Sequence, residues 1–245
     1  MFGKYYIARK FRYEEMRDRE FAYFDLNVLR AVPENHVTKV LSLMDRAYSQ
    51  IRQDLVALSY LDFKRDGFFL EFGATNGIDL NNTHLMETEF GWTGILAEPD
   101  RHWQNDLKRN RSCIIDTRCV ANRSGEQLRF TAAHRNEASG LSDFVPLRHR
   151  LQGAQYDVES VSLNDLLEQH NAPEVIDFAS VDTEGSEFSI LDAFDFSRWK
   201  FRFVAIEHNW KPQREKVFEL MTRNGYKQVH KDISRFDDWY VHADA

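Results

Sequence analysis

The sequence predicts an α/β domain, a mostly parallel sheet flanked by helices and preceded by a helical extension. Three observations carry that prediction. After Gly67, short apolar runs alternate with amphipathic segments; a glycine-bearing turn follows the first of those runs directly; and acidic residues close several of the later ones. Fully apolar strands need cover on both faces, which crossover helices supply. Ligands of such sheets bind at the carboxyl ends of the strands.

The extension comes first, over residues 1–62, and the sheet domain is expected over 63–245. From 14 to 61 the chain reads as helix, because Val37, Val40, Leu41, Met44, Tyr48, Ile51, Leu55 and Leu58 recur at helical spacing. Strands are expected at 68–72, 94–97, 113–121, 176–181, 201–207, 227–230 and 239–242, with helices such as 101–110 and 213–224 between them. Segment 128–161 departs from this alternation and reads as an inserted hairpin and long loop over the ligand-binding edge.

Composition narrows the function. The 245 residues are 42% hydrophobic and 29% charged, a globular balance that folds. The net charge of -7 argues against a chain that binds nucleic acid in bulk by coating phosphates. Cys113 and Cys119, if both on one strand, stand roughly 20 Å apart and cannot bridge. Without a disulfide framework, a signal-like apolar core or a membrane span, the expected compartment is the cytoplasm.

Four constellations point to chemistry. Glu71-Phe72-Gly73-Ala74-Thr75-Asn76-Gly77 lets the backbone turn sharply and approach a ligand, and lacks the full G-x-G-x-x-G spacing of a dinucleotide site. Glu98-Pro99 ends the next strand, where a carboxylate can accept both hydroxyls of a ribose. Asp182-Thr183-Glu184-Gly185-Ser186-Glu187 gathers acids at a third strand end; Ser186 reads as a helix N-cap and Glu187 as a first-turn acid. Glu207-His208-Asn209 adds an imidazole suited to general-base work near neutrality. The loop 134–140, continuing through Arg148-His149-Arg150, is locally basic and reads mainly as solvated charge.

Taken together, these elements resemble the FkbM family of methyltransferases, from about Gln53 onward. The likeness also rests on Gln53-Asp54-Leu55, Asn82-Thr83 and Gly91-Trp92-Thr93-Gly94. The resemblance implies a class I methyltransferase Rossmann-like fold, a seven-stranded sheet whose last hairpin contributes one antiparallel strand. It implies S-adenosylmethionine as cofactor, with Glu71, Gly73, Ala74 and Gly77 around the methionine portion and Asn82 and Asp182 helping to position it. Glu98 with Pro99 would hold the ribose, and Ala121 and Asn122 would flank the adenine.

Methyl transfer from a sulfonium needs positioning more than covalent chemistry. His208 is the first candidate base, followed by Glu207, Asp182 and Glu184. Mg²⁺ gathered by the acids is a second route, although no dedicated metal motif is present. The expected acceptor is a hydroxyl of a small molecule or carbohydrate, and the helices of the extension could pair two copies of the chain. A nicotinamide-dependent oxidoreductase and an inactive cofactor-binding partner protein are the competing readings.

Overall fold

The computed structural model describes residues 2–133 and 139–244. Helix α1 (Phe2–Ala31) ends just before Val32-Pro33, since a proline pushes the residue before it out of the helical region. Helices α2 (Val37–Leu43) and α3 (Gln53–Tyr60) follow. The stretch expected to be helical over 14–61 holds these three helices, interrupted where the chain becomes extended at Ala47 and Ser49 bridges to Leu80.

The strands are β1 (Phe68–Phe72), β2 (Thr93–Ala97), β3 (Ile114–Asp116), β4 (Cys119–Ala121), β5 (Gln127–Ala132), β6 (Gly140–Leu141), β7 (Ala154–Ser162), β8 (Val175–Val181), β9 (Lys200–Glu207), β10 (Tyr226–Val229) and β11 (Asp237–His242). Among them lie α4 (His84–Phe90), α5 (Gln104–Asn110), α6 (Leu147–Gln152), α7 (Leu163–Gln169), α8 (Glu187–Asp192) and α9 (Arg214–Arg223). Seven strands form the main sheet in the order β10-β11-β9-β8-β1-β2-β3. It is mixed rather than purely parallel: β11 runs antiparallel to both its neighbours, and the other six share one direction.

Chain order runs outward from β1 through β2 to β3 on one side and from β8 to β9 on the other. That reversal leaves a crevice at the carboxyl ends of β1 and β8, the place where open α/β sheets receive ligands. Successive residues of β1 face opposite sides. Phe69 joins Phe178, Phe203 and Trp239 against Phe24, Val28, Leu55 and Leu58 of the N-terminal helices. Leu70 and Phe72 join Val204 and Ile206 against Leu166, Leu191 and Leu220. Each such side chain, fully buried, contributes about 1.5–3 kcal/mol. The segment before residue 63 shares one apolar core with the sheet.

The run 113–121 is not one strand. Asp116 accepts from the backbone N–H and guanidinium of Arg118, at 2.9 and 3.0 Å, and the chain turns there. β3 stays with β2, whereas β4 pairs with β7 in a separate four-stranded sheet, β4-β7-β5-β6, which is the insertion expected near 128–161. Cys113 and Cys119 are free thiols. Residues 134–138 of the basic loop lie outside the described residues. No helix among the described residues is long and apolar enough to cross a membrane.

Candidate active site

A cavity of about 400 Å³ opens at the carboxyl ends of β1, β2, β8 and β9 and is lined in part by Gln53, Glu71, Gly73, Asn82, Glu98, Pro99, Asp182, Glu184 and Glu207. Gly73 turns the chain out of β1 at φ +73°, and a Cβ there would stand 2.8 Å from the carbonyl oxygen of Asp182. Only glycine lets the β1 turn approach the end of β8 so closely. Gly77, at φ +80°, serves a different contact: a Cβ would meet Arg111 at 2.6 Å and Leu107 at 2.7 Å. Neither Gly77 nor Ala74, which is buried in the apolar core, reaches the cavity wall.

Glu71 is a wall residue whose oxygens are already engaged. One accepts the N–H of Asn82 at 2.8 Å and the other the hydroxyl of Thr83 at 2.5 Å. Burial raises its pKa, and the charge of Arg111 opposes the rise. Arg111 was not singled out from sequence. Its buried guanidinium also donates to Gly77 O, Asn81 and Thr83 and pairs with Glu87 at 2.5 Å, so that one side chain organises the loop between β1 and α4. Asn82 donates its amide to Ser180 at 2.8 Å and leaves its Oδ1 unpartnered among the described residues.

At the end of β2, Glu98 accepts the backbone N–H groups of Thr75, at 2.8 Å, and Asp100, at 2.7 Å. Burial pushes its pKa up to about 8, and the charges of Asp100 and Asp182 add to the rise. Asp100 and Trp103, absent from the sequence reading, sit on the same wall. Asp100 is 2% exposed; its Oδ1 accepts from His102 N–H and the Tyr156 hydroxyl, while its Oδ2 has no partner among the described residues. The indole N–H of Trp103 is likewise unpaired. A buried acceptor and a buried donor thus stand on one cavity wall without partners among the described residues, where folded proteins ordinarily pair such groups.

Ala121 and Asn122 are not on that wall. β4 leads away to β7, pairing Ala121 with Ser162, and the side chains that line the cavity here are Cys119, Val120 and Phe130.

The far end is acidic. Asp182, Glu184 and Glu207 each bring a carboxylate oxygen within 4.8 Å of the others. Asp182 and Glu207 stand side by side in this cluster, so the charge on either one resists ionisation of the other. Burial first, and then the charge of Asp182, drives Glu207 far above the carboxylate range. Burial also raises Asp182. Asp237 faces Glu207 across the β9–β11 pairing and receives the amide of Gln53 at 3.0 Å; burial, followed by the charge of Asp182, pushes it up to about 7. The three clustered carboxylates have the chemistry of a hard-cation site.

Glu187 works within its own loop. Its carboxylate accepts the N–H groups of Thr183, at 3.1 Å, and Gly185, at 2.8 Å, and an amide hydrogen of Gln213 at 2.8 Å. Ser186 occupies the N-cap position of α8, but its hydroxyl donates to Thr183 instead of capping the helix.

His208 is turned away from the cavity. Along β9, Phe203 and Ala205 belong to the core that Glu207 continues, and Val204 and Ile206 belong to the opposite core. His208 continues that opposite side, 2% exposed, with its Nε2 3.5 Å from Asp238. The geometry removes it from contact with anything bound at the strand ends. Arg148 and His149 do reach the cavity edge, where they hydrogen-bond each other at 3.0 Å.

The family model described as the methyltransferase FkbM domain matches residues 71–228. No curated protein sequence matches significantly. Among solved structures, a METTL16 methyltransferase domain is 13% identical with a TM-score of 0.43, over 76% of this chain and 63% of that one. This chain therefore spans under two-thirds of that domain's length. A precorrin-6y C5,15-methyltransferase from Geobacter metallireducens GS-15 is 12% identical, TM-score 0.41, over 80% and 93% of the two chains. A SAM-dependent methyltransferase from Aquifex aeolicus is 9% identical, TM-score 0.36, over 83% and 96%.

Proposed function

This chain belongs to the FkbM methyltransferase family, and on that premise we propose that it transfers the methyl group of S-adenosylmethionine to a hydroxyl oxygen of a small-molecule or sugar acceptor. One observation carries the reading: a single cavity holds unpaired polar groups at the β2 end and the clustered carboxyls of Asp182 and Glu207 at the β8–β9 end. The first suits an adenosine and the second an acceptor proton.

The residues at the β2 end fit the cofactor. Glu98 has lone pairs left for ribose hydroxyls, and Asp100 Oδ2 and the Trp103 N–H are free to pair with a heteroaromatic edge. The turn at Gly73, whose missing Cβ lets the backbone lie close against Asp182, suits the methionine portion. When bound, the cofactor supplies an activated methyl on a sulfonium.

The rest of the work falls to the chain. Asp182, raised by burial, is a better proton acceptor near neutrality than an ordinary carboxylate. Glu207 is held neutral beside it. An acceptor hydroxyl held against Asp182 by the surrounding wall would pass its proton to that carboxylate.

Isothermal titration with S-adenosylhomocysteine and, separately, with NAD tests the premise. Saturable binding of the first alone, accompanied by transfer of label from methyl-tritiated S-adenosylmethionine to a hydroxylated acceptor panel, is the expected result. Binding of NAD alone would move the chain to nicotinamide chemistry. Cofactor binding with no transfer to any hydroxyl, amine or carboxyl acceptor would make it an inactive relative.

A further inference from the structure

His208 looks idle, since it is buried behind the sheet and touches nothing in the cavity. Its contacts say otherwise. The ring Nδ1 accepts the backbone N–H of Trp210 at 2.9 Å, and its carbonyl oxygen accepts the N–H of Lys211 at 2.7 Å. The N–H groups of His208 and Asn209 both donate to Phe236 O, at 2.9 and 3.1 Å. These bonds enclose two consecutive residues in the left-handed region, Asn209 at φ +43° and Trp210 at φ +53°. Residues with a β-carbon rarely adopt that conformation, and a pair of them persists only where the surroundings impose it.

The turn so held is part of the cavity's rim. Asn209 lines the cavity next to Glu207. Lys211 donates to the carbonyl oxygen of Glu184 at 2.9 Å, and Gln213 donates to that of Gly185 at 3.0 Å. The 183–187 loop, which follows directly on Asp182, thus leans on the residues that the His208 turn delivers.

Behind the ring stands Asp238. Because Nδ1 accepts, the proton of the neutral ring is on Nε2, which faces Asp238 Oδ1 at 3.5 Å. Arg214 grips Asp238 with two hydrogen bonds, at 2.9 and 2.7 Å, and Gln228 adds a third at 2.6 Å. Burial lowers the His208 pKa, which keeps the ring in the neutral form that the acceptor role requires.

We propose that His208 is a positioning residue: through its Nδ1 it clamps the Asn209-Trp210 turn, and through that turn it braces the acceptor end of the cavity. The functional half of this statement rests on the methyl-transfer reading; the clamp itself does not.

The test compares His208→Asn, His208→Gln and His208→Ala by amide hydrogen exchange and by S-adenosylhomocysteine titration. Asparagine places an acceptor oxygen where the imidazole has Nδ1 and bonds readily to an N–H two residues on, whereas glutamine sets its oxygen one bond too far. The Asn variant is expected to keep the Trp210 and Lys211 amides protected as in the parent. The Gln and Ala variants are expected to lose about tenfold of protection there and at the 183–187 loop.

If Ala fails to fold, the Asn and Gln pair still decides. Equal protection in all variants would overturn the clamp. Loss at Trp210 with an unaltered 183–187 loop would overturn the bracing role. A parent that binds no S-adenosylhomocysteine would fail the methyltransferase reading while the exchange data still judged the clamp. With an acceptor in hand, an Asn variant as slow as Ala, despite parental protection at Trp210, would give the ring a chemical role and overturn the proposal.

Discussion

Cofactor affinity should report the ionisation of Glu98. Its pKa of about 8 means that the empty protein at pH 7 carries this carboxyl mostly protonated, whereas a carboxylate is the better acceptor for two ribose hydroxyls. Ionising a group one unit below its pKa costs about 1.4 kcal/mol, and two units below it about 2.7 kcal/mol. The dissociation constant for S-adenosylhomocysteine should therefore tighten about tenfold per unit from pH 6 to pH 8 and level off above. Binding at pH 7 should release close to one proton, measurable as the difference in titration heat between two buffers of unlike ionisation enthalpy. Using the neutral thioether rather than the sulfonium keeps the acids at the far end of the cavity from dominating the pH dependence. In Glu98→Gln the slope should vanish and affinity at pH 8 should fall. A flat profile in the parent, or an unchanged slope in Glu98→Gln, would refute the assignment of Glu98 to the ribose.

Glu207→Gln imitates the neutral form of Glu207 and should slow transfer by less than about threefold. Asp182→Asn removes the proton acceptor and should cost about 10²–10⁴-fold in kcat, read with a labelled methyl group. Equal losses would dissolve the division of labour between them. Asp237 is held at about 7 against an ordinary 3.8, so the stability it contributes is complete below the ordinary value and is lost as pH rises through 7. Asp237→Asn should be no more stable than the parent at pH 4.5 and up to about 4 kcal/mol more stable at pH 9 by urea titration. Chelation with EDTA should leave turnover within about twofold if Asp182 acts as the base beside a neutral Glu207; a tenfold loss restored by Mg²⁺ would give the acidic trio to a metal instead.

The sheet was legible because its strands are apolar on both faces. Phe68–Phe72 was placed residue for residue, and the acids that end β2, β8 and β9 marked the cavity. What escaped was mostly a matter of direction. Strand alternation alone sorts Phe203, Ala205 and Glu207 from Val204, Ile206 and His208. That parity separates the imidazole from its acidic neighbour, but only once it is clear which face carries the ligand. Ala121 and Asn122 were assigned to the adenine by the family resemblance, and the bend at Arg118 carries them from the main sheet into the second one. Arg111, at the end of a polar helix, carries no sequence mark of burial; its role follows from contacts with Glu87, Asn81 and Thr83. Asp100 and Trp103 follow Glu98 closely enough that a search of the turn after β2 for further polar groups would have found them.

The hydrogen bond from Gln53 to Asp237 joins two residues 184 positions apart. During synthesis, Gln53 and the helices around it emerge before the sheet, and the strand that carries Asp237 leaves the ribosome after the other cavity walls among the described residues. Until then the N-terminal helices have no Trp239 to cover them, and a contact so distant in sequence closes late. A nascent chain that has completed β9 is therefore expected to hold most of the cavity walls with apolar surface uncovered. Chaperone dependence and aggregation during expression should rise steeply in chains truncated between β9 and β11.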